Sequence, residues 1–195
     1  MTRSEFVVHD RDVREQLGRD MRVWHPGTDT LFVDELDLGG LVRVDVAAVN
    51  GALWGYEIKS ARDTLRRLPA QVTVYSKVFD YAALVVADRH HDHAFDLLPE
   101  WWRVYAALGG GDVGVELVLT RVGSPNPSVD PWQLVQLLWR DEALEELTAR
   151  GLDHGVRSKP RRMVWQRLVE SVELTELQFV VRSRLKSRQG WRGCL

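Results

Sequence analysis

Asn50-Gly51, set between the apolar runs at residues 41–49 (LVRVDVAAV) and 52–59 (ALWGYEIK), constrains this chain more than any other feature. An Asn-Gly step between two such runs signals a β-hairpin, because both residues tolerate the left-handed backbone of a tight reversal. Two registers compete. A two-residue loop pairs Val49 with Ala52 and sends Asp45 and Glu57 to opposite faces. A three-residue loop, with Gly51 available for the left-handed position, pairs residues whose numbers sum to 102, so that Asp45 faces Glu57 and Val44 faces Ile58. The second register collects Val42, Val44, Val46, Ala48, Trp54, Tyr56 and Ile58 on one face, and Arg43, Asp45, Glu57 and Lys59 on the other. A slip of one residue would scatter both sets, so the hydrophobic pattern selects the register that brings the two carboxylates together.

The rest of the chain supplies elements to surround this hairpin. Val13, Leu17 and Met21 recur at helical spacing and predict a helix over residues 10–22, capped by Asp10 and ended by Trp24-His25-Pro26-Gly27. A short amphipathic segment at 30–36 carries Glu35 close to the hairpin. Residues 63–68 read as a helical turn that Pro69 interrupts or restarts, since proline is tolerated in a first turn. Gln71 and Tyr75 then share a helix face. YAALVVA at 81–87 is apolar without alternation, as in a strand buried on both sides, and strand, helix, strand order implies a right-handed crossover in a mixed sheet. Residues 88–98, with His90, His91 and His93, predict a helix ending at Pro99, and 101–107 and 113–121 predict two strands around Gly109-Gly110-Gly111.

Gly123-Ser124-Pro125-Asn126-Pro127 is a loop by composition and marks the edge of the core. Beyond it Asp130-Pro131 is a cap followed by a proline start. Leu134, Leu137 and Leu138 continue into an acidic run ending at Gly151, and helices are predicted at about 160–172 and 174–186. The expected fold is α/β, a mixed central sheet flanked by helices, with a core at residues 1–124 and a basic, helical C-terminal extension at 125–195.

A chain of 195 residues, 45% of them hydrophobic, can bury a substantial core. The segment MTRSEFVVHDRDVREQ has no apolar signal core and no run is long enough to span a membrane, so a cytoplasmic protein without a membrane partner is expected. The single cysteine, Cys194, permits no internal disulfide and no cysteine zinc cage. Net charge is only -2, but residues 155–195 hold ten Lys+Arg against three Asp+Glu, a surplus of +7 that leaves -9 for residues 1–154. Arg157, Lys159, Arg161, Arg162 and Arg167, then Arg182, Arg184, Lys186 and Arg188, make this tail either a phosphate-binding surface or a solvated helical face.

Asp45, Glu57-Ile58-Lys59 and Gln71-x-x-x-Tyr75 together resemble the PD-(D/E)XK nuclease superfamily, in its Gln-x-x-x-Tyr branch, over about residues 10–121. GYEIKS followed by DTLRRLPAQ, with Trp191-Arg192 near the end, is similar to a family of small uncharacterised bacterial nuclease-like proteins. The superfamily's usual proline before the Asp is replaced here by Val44. The resemblance implies a restriction-endonuclease-like core and a magnesium- or manganese-dependent nuclease that hydrolyses DNA, in repair, mobile-element or defence settings. It implies Asp45 and Glu57 as metal ligands, with the Ile58 carbonyl and Glu35 completing the shell. Hard oxygen donors of this kind suit magnesium. Lys59 would orient the attacking water or offset developing charge. Gln71 and Tyr75 would support the site, and Arg161 and Arg162 would hold the nucleic-acid backbone. The same residues also suit a DNA-binding or partner-binding protein that keeps the fold without turnover, and Asp45, Glu57 and Lys59 could form a plain surface ion-pair cluster.

Overall fold

The computed structural model describes residues 9–109 and 114–189, so the N-terminal octet, Gly110, Gly111, Val113, Trp191, Arg192 and Cys194 lie outside the described residues. The first helix, α1 (Asp10–Trp24), starts where its periodicity predicts and runs two residues longer. His9 is its N-cap, and Asp10 stands with Asp12 in the first turn, where carboxylates complement the helix dipole. Val13, Leu17 and Met21 are buried, each contributing roughly 1.5–3 kcal/mol of hydrophobic stabilisation.

Strands β1 (Leu31–Asp37), β2 (Arg43–Val49), β3 (Leu53–Lys59), β4 (Tyr81–Ala87), β5 (Arg103–Gly109) and β6 (Val115–Arg121) form one six-stranded sheet in sequence order. The sheet is mixed: β3, β4 and β5 run parallel, and β1, β2 and β6 join antiparallel. Segment 30–36, read only as amphipathic, becomes edge strand β1. The β2–β3 hairpin pairs Val46 with Tyr56, Ala48 with Trp54 and Val49 with Leu53, the register of the three-residue loop. Asn50 closes that loop by accepting the Ala52 N–H on its own side chain at 3.0 Å.

Between β3 and β4 the chain forms α2 (Leu68–Val78), with Pro69 in its first turn, and between β4 and β5 the short α3 (His91–Asp96). The helix expected over 88–98 forms over 88–96, as a single 3-10 turn (Asp88–His90) that runs into α3, and stops short of Pro99. The C-terminal segment is helical: α4 (Pro131–Val135), α5 (Arg140–Ala149), α6 (Arg161–Ser171) and α7 (Leu174–Ser187). Asp130 caps α4 by accepting the Trp132 and Gln133 N–H groups. The helix expected to run on through Leu138 instead breaks between α4 and α5, where Glu142 restarts it by accepting the Trp139 N–H.

Both faces of the sheet are covered. On one face Val13, Leu17 and Met21 of α1 pack on Val46, Ala48, Tyr56, Ile58, Val85 and Tyr105. On the other, α2 and the C-terminal helices share one continuous cluster with the strands, from Val44, Leu53 and Leu84 through Tyr75 and Trp102 to Leu134, Trp165 and Leu185. No helix among the described residues is long and apolar enough to cross a membrane.

Strand alternation departs from expectation at one point. Val42 and Val44 were expected on the face of Val46 and Ile58 but pack into the opposite cluster, with Val33 and Leu36 of β1. The β1–β2 pairing skips Glu35 and Asp45, and Glu35 is the only non-glycine among the described residues with positive φ, 53°. A left-handed residue turns the strand and resets its alternation at a cost of roughly 1–2 kcal/mol. The break falls at the carboxylate that the candidate site needs.

Candidate functional site

The β2–β3 ladder stops at Val46–Tyr56, one residue before Asp45. Asp45 does not become a cross-strand partner of Glu57. Its Oδ2 accepts the Ile58 N–H at 2.8 Å, so a carboxylate takes up the donor released where the strands part. Its Oδ1 accepts from Arg14 Nη2, also at 2.8 Å, reaching over from α1.

Glu57 and Lys59 share the face of Leu53 and Gly55, toward α2, while Trp54, Tyr56 and Ile58 face α1, as alternation along β3 requires. That face is covered, so Glu57 is only 1% and Lys59 4% exposed. A buried carboxylate needs donors, and three converge on it. Lys59 Nζ and Gln71 Nε2, the latter at 2.5 Å, donate to Oε1, and the Tyr75 hydroxyl donates to Oε2. Gln71 and Tyr75 come from one turn of α2, and Tyr75 is wedged by stacking on Trp102, with centroids 5.5 Å apart. Burial raises the Glu57 carboxyl above the usual range, the Asp45 charge adds to this, and Lys59 and Tyr75 act against it. Burial and then the Glu57 charge also hold the Tyr75 hydroxyl well above its ordinary value.

Asp45, Glu57, Lys59 and Gln71 line a cavity of about 390 Å³, with Ile58, Glu35, Arg43, Asp10, Arg14, Asp63 and Arg67 around it. Glu35 sits at the rim: its side chain is 61% exposed and it pairs with Arg43 at 3.1 Å. Asp63 accepts from the Ser60 N–H and hydroxyl. Among the described residues no three His, Cys, Asp or Glu side chains are grouped closely enough to hold a metal, so Glu35 does not close on Asp45 and Glu57 as a third carboxylate. Two carboxylates in one polar cavity nevertheless suit a hard divalent ion that keeps several waters. Gln71 Oε1 supports the fit, since it is buried beside Glu57 without a hydrogen-bond partner and would accept from such a water.

Asp10, Arg14, Asp63 and Arg67 are the charged cavity residues that sequence reasoning missed as part of the site. The α1 periodicity that located Val13 and Leu17 says nothing of which strand residue Arg14 meets. Arg161 and Arg162 are placed elsewhere, exposed at the start of α6 with their guanidinium groups over Trp165 and Trp132, and neither lines this cavity. The histidine cluster forms no metal group; His91 bonds Thr120 and Asp92. Trp101 and Trp102 are buried in the core.

A solved structure described as SPO1766, a protein of unknown function from Silicibacter pomeroyi, aligns with a TM-score of 0.45 and 20% identity, over 75% of this chain and 94% of that one. No curated protein matches the chain. Residues 20–192 match the family described as bacteriophage P4 protein cII, a span from the second half of α1 to beyond α7, and the chain therefore belongs to that family.

Proposed function

We propose that the protein is a metal-dependent nuclease that hydrolyses DNA phosphodiesters at the cavity between β2, β3 and α2. One observation carries this reading: Lys59, Gln71 and Tyr75, from a strand and a helix, all converge on one buried carboxylate, Glu57, beside Asp45. An ordinary surface ion-pair cluster has no reason to bury its acid. Asp45, Glu57 and the Ile58 carbonyl would hold magnesium or manganese, which when bound acidifies a water and offsets charge on the scissile phosphate. Gln71 and Tyr75 fix the Glu57 carboxylate against rotation. Lys59, whose amine donates to Glu57, would orient the nucleophilic water or steady the developing negative charge. A family named for a bacteriophage protein is consistent with a mobile-element setting.

The test is incubation of purified protein with plasmid and linear DNA in magnesium, manganese or chelator. Cleavage that needs metal and falls by about 100-fold or more in Lys59→Ala and Glu57→Gln supports the proposal. Intact DNA under every condition overturns it. Two observations favour a second reading, a fold-retaining DNA- or partner-binding protein: Arg14 already neutralises Asp45, and among the described residues no third carboxylate joins the pair. DNA binding without turnover would select it.

A further inference from the structure

The cavity holds a cation that the proposed chemistry does not use. Arg14 lies between two carboxylates, its Nε 3.0 Å from Asp10 Oδ2 and its Nη2 2.8 Å from Asp45 Oδ1. Because the Ile58 N–H holds the other Asp45 oxygen, Arg14 covers the oxygen that no backbone group engages. Both side chains are half-buried, 30% and 24% exposed, so the pair is less screened than a surface bridge. Asp10 lies one turn earlier on the same helix, so Arg14 keeps an anchor there if Asp45 is taken by another cation. Beside the pair, the buried and unpartnered Gln71 Oε1 marks a cavity built for a further ligand.

We propose that Arg14 is the resident counter-cation of this site, neutralising Asp45 in the metal-free protein, and that a divalent ion must displace it to bind. Arg14 thereby sets the concentration of metal at which the site fills. The inference rests on the reading of Asp45 and Glu57 as metal ligands. Two carboxylates that share a cavity repel, and a guanidinium on one of them lowers that repulsion. Removing the guanidinium leaves the repulsion for the incoming ion alone to relieve, which strengthens the ion's binding.

Calorimetric titration with manganese of the wild type, Arg14→Met, Arg14→Lys and Asp45→Asn tests this without reference to cleavage. Arg14→Met is expected to bind manganese about tenfold more tightly than wild type, the scale of one partly screened charge. Arg14→Lys keeps the charge without the two-armed grip and is expected to fall between them, which preserves the comparison if the methionine variant does not fold. Asp45→Asn is expected to abolish binding. Manganese binding that needs Asp45 but has wild-type affinity in both Arg14 variants overturns the role of Arg14 and leaves the metal site standing. Binding that is indifferent to Asp45, or absent from wild type and Arg14 variants alike, overturns both.

Discussion

Glu57 is a carboxylate in the interior of a sheet, and its three donors explain why it is tolerated there. Tyr75→Phe removes one of them without changing the ring that stacks on Trp102, leaving Glu57 Oε2 buried without its donor. A loss of about 1–3 kcal/mol is expected in urea unfolding, and an unchanged midpoint would show that the hydroxyl contributes nothing there. His25 presents the neutral counterpart. The Asn50 amide donates to its Nδ1 at 3.0 Å, which leaves Nε2 to carry the proton toward the Tyr56 hydroxyl at 2.8 Å. Burial, aided by the Arg103 charge, lowers its pKa from 6.5 to about 4. Between those values the unfolded chain binds a proton that the native protein refuses, so stability contributed by His25 is present above pH 6.5 and lost as pH falls toward 4. Unfolding curves at pH 7 and pH 5 are expected to differ less in His25→Asn than in wild type.

At the scale of elements, β3 and α2 must approach closely for Gln71 and Tyr75 to reach Glu57. Gly55 permits it. A Cβ there would lie 2.5 Å from the Phe79 ring, which is fully buried at the end of α2 and packs edge-on against Tyr75. Gly55→Ala is therefore expected to cost roughly 1–3 kcal/mol, as overpacking in a filled core does. Adding Phe79→Leu should recover part of that loss, and two costs that simply add would show that the ring is not the obstacle. The hairpin supports the same site differently, through the interruption at Glu35 and Asp45 that frees the Ile58 N–H for a side chain.

Across the whole molecule the uneven charge of the sequence is largely resolved internally. Lys186 pairs with Asp29, Arg182 with Asp80, Arg184 with Glu145 and Glu146, and Arg188 with Glu142, which fastens α7 to the loop after α1, the start of β4 and α5. Asp80 is the central clasp: it accepts from the Leu53 N–H, Gln178 and Arg182, with its side chain only 12% exposed. Asp80→Ala leaves Arg182 half-buried and unpaired there, and a loss of about 3 kcal/mol is expected by thermal or urea unfolding. A change below a few tenths would show that the apolar cluster alone holds α7. Arg161 and Arg162 remain exposed at the start of α6. If they contact the nucleic-acid backbone, the double alanine variant should bind DNA more weakly, with a salt slope flatter by about one unit per lost contact. An unchanged slope would exclude this surface.

The amino-acid sequence by itself determined what depends on neighbours along the chain. The Asn50-Gly51 turn and the alternation after it set the hairpin register and put Glu57 and Lys59 on one face. The four-residue spacing of Gln71 and Tyr75 put both on one side of α2, Asp130-Pro131 set the start of α4, and the unbroken apolar run at Tyr81–Ala87 marked a strand covered on both faces. Tertiary structure decided what depends on residues far apart. The alternative of a plain surface ion-pair cluster fails for Glu57 and Lys59, because α2 packs over their sheet face and buries both. Arg14 meets Asp45 across 31 positions, Arg182 meets Asp80 across 102, and Lys186 meets Asp29 across 157. The tail's surplus of arginine was legible as charge but not as partnership, because periodicity describes which face a residue occupies and not which distant element comes to cover it.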